Sequence, residues 1–351
     1  MATKTQLNWL KQSSCLPGIL LNSLLTIGAV WANSFPWLAR LGLGTPTLAI
    51  LLGILIGNTL YPWLQYSCHS GIQFIKQYML QLAIVLYGFR LTFQQIADVG
   101  VTGIIIDALM LVTTFLLACW LGKNIFDIDS DTTILIGAGS SICGAAALLA
   151  VKPLLKADTS KVAVAISTVV IFGTLAMLIY PWLYQLNTHM QWLLFTQKTF
   201  GIYIGSTIHE VAQVIAVGHA IGKDTENAAV ITKMIRVMML APFILLLSVY
   251  IHRGNSKYKV EASSISIPWF AMFFIAVAGL NSCQFIPVVL VHHLITIDTL
   301  LLAMVMTALG LTTNISAIYQ AGIKPIALAT LLFVWLLVGG AAINQLIEYL
   351  Y

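Results

Sequence analysis

Charge is what this sequence has least of. Its 351 residues include 17 Lys+Arg and 12 Asp+Glu, so only 8% are charged while 59% are apolar. A soluble domain carries roughly 25% charged residues, so this chain cannot cover itself with a surface that water would solvate. A large soluble domain and a nucleic-acid binder are excluded, and the net charge of +5 reads as loop charge that orients spans. Cysteine is scarce too. Cys15, Cys68, Cys119, Cys143 and Cys283 form an odd set without C-x-x-C spacing, which supports neither a disulfide framework nor a zinc ribbon. Long polar stretches are missing: the longest, His252 to Ser264, is a loop and separates no domains. Lys4 and Lys11 precede an apolar run from Leu16 to Trp31, but the stretch Trp31 to Phe35 makes a poor cleavage site. An uncleaved first span is expected.

What the sequence does have is apolar length. A membrane helix needs about 20 mostly apolar residues. Eleven such segments lie near 16–34, 45–60, 72–90, 101–121, 132–155, 161–183, 200–222, 227–251, 267–281, 288–311 and 325–348. The expected fold is an all-α polytopic membrane protein, one integral domain over residues 1–351 with about 9–11 transmembrane segments.

Two segments are not ordinary spans. Segment 132–155 contains Gly137-Ala138-Gly139-Ser140-Ser141-Ile142-Cys143-Gly144, and segment 200–222 contains Gly205-Ser206-Thr207-Ile208-His209-Glu210. Small polar residues weaken a helix, and irregular backbone at membrane depth survives only where protein buries it or it lines a wet cavity. Close packing through small residues is the plainer reading, but it does not call for His-Glu. Both segments are therefore expected to be broken or re-entrant.

The chain also repeats itself. Residues 82–92, LAIVLYGFRLT, match 302–312, LAMVMTALGLT, at five of eleven positions, and Gly139-Ser140-Ser141-Ile142 matches Gly205-Ser206-Thr207-Ile208. The order is permuted: the first unit precedes its broken segment and the second follows its own. If both broken segments are re-entrant, Lys152, Lys156 and Lys161 fall on the cytoplasmic side with Lys4, Lys11 and the 252–264 loop, as positive charge favours. The segments then come in from opposite faces, and the units are inverted, which is a secondary-transporter design. Full crossing with a break in the middle is the alternative. The N-terminus is expected in the cytoplasm and the C-terminus in the periplasm.

A charge at a helix centre costs about 2.5–3.5 kcal/mol on insertion scales, so each needs a reason. His209, Glu210 and Gln213 form the expected proton-coupling set, because a carboxyl beside an imidazole in a low-dielectric cavity can exchange protons. A structural pairing of the same groups is the alternative. A zinc-protease reading fails because Gln213 stands where H-E-x-x-H requires a second histidine. Lys233 and Arg236 share a helix face, and Arg offers a fork of donors to oxyanions. With Ser140, Ser141, Cys143, Ser206, Thr207 and Asn314 they form the expected binding set for a small anion. Arg90 and Asp98 read as interfacial ions, and Asp107 and Asp298 as carboxylates near span starts. No metal or cofactor is expected.

The stretches Leu86 to Thr92, Gly139 to Ala147 and Gly205 to Gln213 resemble those of the YeiH-type family of proposed sulfate exporters, over nearly the whole chain. The resemblance implies a bacterial inner-membrane protein of about ten spans, distantly similar to cation/proton antiporters and bile-acid symporters with inverted repeats. The paired aspartates typical of sodium/proton antiporters are missing from the broken segments. The expected function is secondary active export of a small anion of the sulfate, sulfite or sulfonate class with proton coupling. A passive anion channel, a membrane sensor and a membrane-embedded enzyme using His209-Glu210 with Ser206 or Cys143 are the alternatives. Expected partners are the anion, protons and the lipid bilayer; a homodimer is compatible, and nucleic acid is not.

Overall fold

The computed structural model describes residues 15–35, 45–191, 195–254, 269–313 and 322–350. Every regular element among them is helical, as a chain surrounded by lipid requires: a helix satisfies its own backbone without water. In chain order they are α1 (Leu16–Asn33), α2 (Thr45–Thr59), α3 (Tyr61–Phe74) and α4 (Leu80–Tyr87), then α5 (Phe93–Asn124), α6 (Ser130–Ser141), α7 (Ala145–Leu155) and α8 (Thr159–Met190). Next come α9 (Gln197–Thr207), α10 (Val211–Ile221), α11 (Lys223–Met238) and α12 (Leu240–Gly254), and finally α13 (Trp269–Ser282), α14 (Val288–Thr312) and α15 (Ile323–Leu350). Six stretches of the described residues are long and apolar enough to cross a membrane: α1, α5, α8, the run Lys223–Ile251, α14 and α15.

Helices α1–α4, α14 and most of α13 form one compact unit; α5–α12 with α15 form another. In the first unit, backbones approach through paired glycines. A Cβ at Gly18 would meet the Cys68 carbonyl and Gly71, and one at Gly310 would meet the Ile50 carbonyl and Gly53. Only glycine permits such contact, the close packing of helices whose surroundings are as apolar as they are. The third expected segment begins earlier than its apolar run, at Tyr61. The polar stretch Tyr61–Gly71 is helical, and a π-helical turn, Ile75–Met79, joins it to α4.

Helix α14 runs antiparallel to α3 and α4. Lys76 Nζ donates to Thr312 Oγ1 (3.0 Å) at one end, and Arg90 Nε donates to Asp298 Oδ2 (2.7 Å) at the other. The matched stretches 82–92 and 302–312 therefore lie inverted, and Arg90, read as an interfacial ion, and Asp298, read as a carboxylate near a span start, are partners of each other.

The second unit holds both broken segments, and each is a hairpin. Gly122 of α5 lies against Thr133, and Gly137 lies against Ala118 and Phe115, so α6 turns back along α5. The helix stops at Ser141, resumes at Ala145, and α7 returns beside α6, with Leu148 against Gly139. Helix α8 starts level with the start of α6, where Lys161 Nζ bonds Asp129 (2.6 Å) and Asp131 (2.9 Å). Both ends of the 130–155 segment are thus on one side.

The second hairpin follows the same plan. Thr225 Oγ1 donates to the carbonyl of Gln197 (3.0 Å) where α9 begins, and Gly218 near the end of α10 lies against Glu226. Each arm has 11 or 12 residues, about 17 Å of helix, which is roughly half of a ~30 Å hydrocarbon layer. Full crossing of these segments is overturned by this geometry. The hairpins come from opposite ends of the unit, because α8 leaves the first hairpin's side and leads to α9.

The unit also accounts for the permuted repeat. Helix α5 precedes the first hairpin and packs antiparallel to its leading arm. Helix α15 follows the second hairpin and does the same: Gly340 lies against Thr207 near the break, and Glu348 hydrogen bonds with Thr199 near the start of α9. Two equivalent helices flank two equivalent hairpins, one attached before and one after.

Candidate functional site

The two hairpin tips meet, and two cations join them. The first break, Ile142-Cys143-Gly144, leaves the last carbonyls of α6 without intrahelical donors; the second, Ile208-His209-Glu210, does the same to α9. Lys233 and Arg236, one turn apart on α11 and both fully buried, supply the donors. Lys233 Nζ donates to Ile142 O (2.7 Å) and Ile208 O (2.6 Å). Arg236 Nε donates to Ser141 O (2.7 Å), Nη2 to Ser140 O (3.2 Å), and Nη1 to Ser206 O. Two positive charges therefore sit on the negative ends of two half-helices.

The other halves begin at the same place. Glu210 is the N-cap of α10: its side chain accepts from the backbone N–H of Gln213, and Gln213 Oε1 accepts from the Glu210 N–H (3.2 Å). Gly144 is the N-cap of α7 with φ of 60°, and a Cβ there would come within 3.0 Å of Glu210 Cγ and 3.3 Å of Oε1. A side chain at 144 would be strained as well as crowded. The Glu210 carboxyl thus stands where two positive helix N-termini converge, and the cations stand where two negative C-termini converge.

The small polar residues of the breaks are buried around this crossing. Ser206 Oγ donates to Tyr203 O (3.1 Å) and accepts from Asn344 Nδ2 (3.3 Å). Thr207 Oγ1 donates to Tyr203 O (2.5 Å) and accepts from the Tyr180 hydroxyl (2.6 Å). Ser141 Oγ bonds Ala138 O (3.4 Å), and Ser140 and Cys143 are buried beside it. His209 is 2% exposed, and its Nδ1 has no partner among the described residues. Of the eleven residues expected from sequence, ten gather at the tips; Asn314 lies outside the described residues.

Sequence reasoning missed two participants. Asp107 read as a carboxylate near a span start because its apolar run begins at 101. The backbone of α5 does kink at Gly100 (φ 42°), so the helix carrying Asp107 starts there; two turns into it Asp107 is fully buried, with Arg236 and Lys233 as the cations acting on it. It is the one carboxylate between Asp98 and Asp127, a signal that was available. Tyr180, deep in α8, gave no comparable signal: a tyrosine in an apolar helix is ordinary.

A sequence model of the family described as conserved hypothetical protein 698 matches residues 17–329 of this chain. The chain is 64% identical over 338 residues to the UPF0324 membrane protein of Yersinia pestis, covering 95% of this chain and 93% of that one. It is 60% identical over 349 residues to a UPF0324 membrane protein of Photorhabdus laumondii, covering 97% of each. With the UPF0324 inner membrane protein YeiH of Escherichia coli the identity is 57% over 333 residues, 95% of this chain and 94% of that one.

Proposed function

The chain belongs to the conserved hypothetical protein 698 (UPF0324) family of membrane proteins, and from that premise we propose that it is a secondary transporter exchanging a small anion against protons across the inner membrane. One observation carries this reading: two re-entrant hairpins from opposite ends of one unit meet at their tips around Lys233 and Arg236. Paired discontinuous helices in inverted repeats place a binding site at mid-depth, where either side can be opened in turn. A site meant only for structure would not call for five ionisable side chains, Asp107, His209, Glu210, Lys233 and Arg236, buried or half-buried at that depth.

The anion preference follows from what the tips leave unused. Lys233 commits two of its three donors to carbonyls and Arg236 three of its five. Three remaining N–H groups and the N-termini of α7 and α10 suit an oxyanion such as sulfate, sulfite or a sulfonate, while the hydroxyls of Ser206 and Thr207 already donate to Tyr203 O. Proton coupling follows from charge balance. With Asp107 and Glu210 both ionised, the two cations are neutralised; a proton on either carboxyl leaves net positive charge for an anion. The Glu210 carboxyl moreover occupies the helix N-termini that an anion would seek, so the two compete, and protonation of Glu210 releases the position. His209, next to Glu210 in the chain, would pass that proton.

Orientation follows from the loops. Lys123, Lys152, Lys156, Lys161 and Lys324 lie toward the end where the first hairpin starts, against Lys198 and Lys223 at the other. Basic residues favour the cytoplasm, so the first hairpin opens to the cytoplasm and α15 ends at the periplasm.

The test is radiolabelled sulfate uptake into proteoliposomes, with sulfite and a small alkylsulfonate as competitors. Saturable uptake that is driven by a pH gradient and stimulated by sulfate on the opposite side supports the reading. Uptake no greater than in protein-free liposomes, for all three anions and both gradient directions, overturns it.

A further inference from the structure

Asp107 is the ionisable group that the hairpin architecture does not use. Glu210, Lys233 and Arg236 each satisfy a helix terminus. Asp107 is fully buried in α5, two turns past the kink at Gly100, and neither carboxyl oxygen has a hydrogen-bond partner among the described residues. Buried polar atoms nearly always find partners, and a buried ionised carboxylate without donors is costly. A carboxyl that carries a proton avoids most of that cost, and one that must exist in both states is kept for what the exchange does.

The surroundings fix which charges it answers to. Helix α11 presents Lys233 and Arg236, the two cations that act on it. The other elements packed on α5 bring no charge to this depth: α6 has none after Asp131, α9 none after Lys198, and α15 none between Lys324 and Glu348. The titratable neutral groups nearby are Tyr203 of α9 and Cys143 at the first break. A polar cavity lies two turns from Asp107 along α5. Its volume is about 470 Å³, and it opens between the first turns of α5, α9 and α11, lined by Gln95, Asp98, Lys198, Asp224 and Asn227, with Val99 and Ile231 at its apolar side. The next turns of α5 and α11 touch at Gly103 and Ile235, and Asp107 and Arg236 follow directly.

We propose that Asp107 is an exchangeable proton site, loaded from the cavity between the starts of α5, α9 and α11, whose proton decides whether Lys233 and Arg236 carry surplus positive charge. In its ionised form Asp107 neutralises one of them and weakens anion binding; taking up a proton, it leaves that charge to the anion. The step is a simple protonation, with the proton drawn from and returned to water in the cavity. Its consequence for anions rests on the transporter reading, while the protonation itself does not.

The experiment is infrared difference spectroscopy on the full-length protein in lipid nanodiscs, between mildly alkaline and mildly acidic buffer. Acidification should raise the C=O stretch of a protonated carboxyl. In Glu210→Gln protein, where that carboxyl cannot contribute, the band should persist; it should be lost when Asp107→Asn is added and retained when Asp158→Asn, a change at an exposed helix start, is added instead. Should Asp107→Asn fail to fold, Asp107→Glu keeps the acid in a new position, and the band must then shift in frequency. A band that survives Asp107→Asn in that background, does not move in Asp107→Glu, or is missing from the Glu210→Gln protein overturns the proposal. Thermal shift with inorganic sulfate, measured across the same pH range, reads the consequence: the native response should strengthen in acid, and that of Asp107→Asn should be larger in alkali and depend less on pH. If sulfate acts on neither protein while the band behaves as expected, the transporter reading fails and the proton site stands.

Discussion

Ile142 and Ile208, one in each hairpin tip, offer their carbonyls to the same ammonium, that of Lys233, at 2.7 and 2.6 Å. Arg236 repeats the arrangement one turn later with Ser140, Ser141 and Ser206. The cations are therefore tie points between two hairpins, and any role toward an anion is added to that.

Removing either cation strands buried carbonyls, each at a cost of about 1–3 kcal/mol. Arg236→Ala strands three and Lys233→Met two, so both should lower the melting temperature of the detergent-solubilised protein, Arg236→Ala by more. Arg236→Lys keeps the charge without the fork and should fall between native and alanine. In whatever folded fraction remains, sulfate should stabilise the Arg236 variants less than Lys233→Met. Equal melting of native and Arg236→Ala protein would show that the tips hold together by packing alone.

Side assignment gives a second expectation. Lys156 and Lys161 lie where the first hairpin starts, with most of the second unit's basic residues. Single cysteines at these positions, in a background without the five native ones, should resist an impermeant maleimide added outside intact cells. A cysteine at Lys223, at the other end, should react. The reverse pattern would invert the orientation and leave the hairpin geometry untouched.

A third expectation concerns acid stability outside the spans. Burial alone would raise the Asp129 carboxyl, but hydrogen bonds from Lys161 and Thr132, with the Lys161 charge, outweigh it and hold the group below its ordinary value. The unfolded chain then binds that proton more readily than the folded one. The stabilisation is complete above the ordinary carboxylate range and is lost as pH falls through the lowered value. Asp129→Asn should be slightly less stable at neutral pH, by no more than about 1 kcal/mol for a half-exposed pair, and the difference should close in acid. Unfolding midpoints across pH decide it; a gap that persists in acid would point to the helix cap rather than the ion pair.

Much of this was legible in the sequence. Apolar length located the helices, six stretches of the described residues being long and apolar enough to cross a membrane, because lipid forces such a run into a helix. The positions of both breaks were visible in Gly-Ser-Ser-Ile and Gly-Ser-Thr-Ile, and the lysines already favoured opposed hairpins. The partners of the cations were not legible: Lys233 and Arg236 looked free to hold an anion because backbone carbonyls leave no mark in a sequence. Asp107 was seen but misjudged: its run does begin near 101, just after the kink at Gly100, but nothing in the sequence shows that a carboxylate two turns into that run answers to Lys233 and Arg236 rather than to an interface.

Glu210 supplies the last expectation, the one that separates coupling from architecture. Its side chain caps α10 and approaches the N-terminus of α7 at Gly144. An anion seeking those N–H groups must displace the carboxylate, which is easier once it carries a proton. Glu210→Gln keeps size and shape, and its amide oxygen can still cap the helix, so fold and melting temperature should stay close to native. The amide has no charge with which to compete, so sulfate binding should persist while a pH gradient drives uptake less, leaving no more than the share Asp107 carries. Glu210→Ala removes the cap as well and should cost about 1 kcal/mol of stability, a loss Glu210→Gln should avoid. Paired measurements of sulfate uptake in proteoliposomes, with and without the gradient, separate the cases. If the gradient drives native and Glu210→Gln protein alike, Glu210 is a cap and nothing more, and the coupled proton rides elsewhere in the cluster.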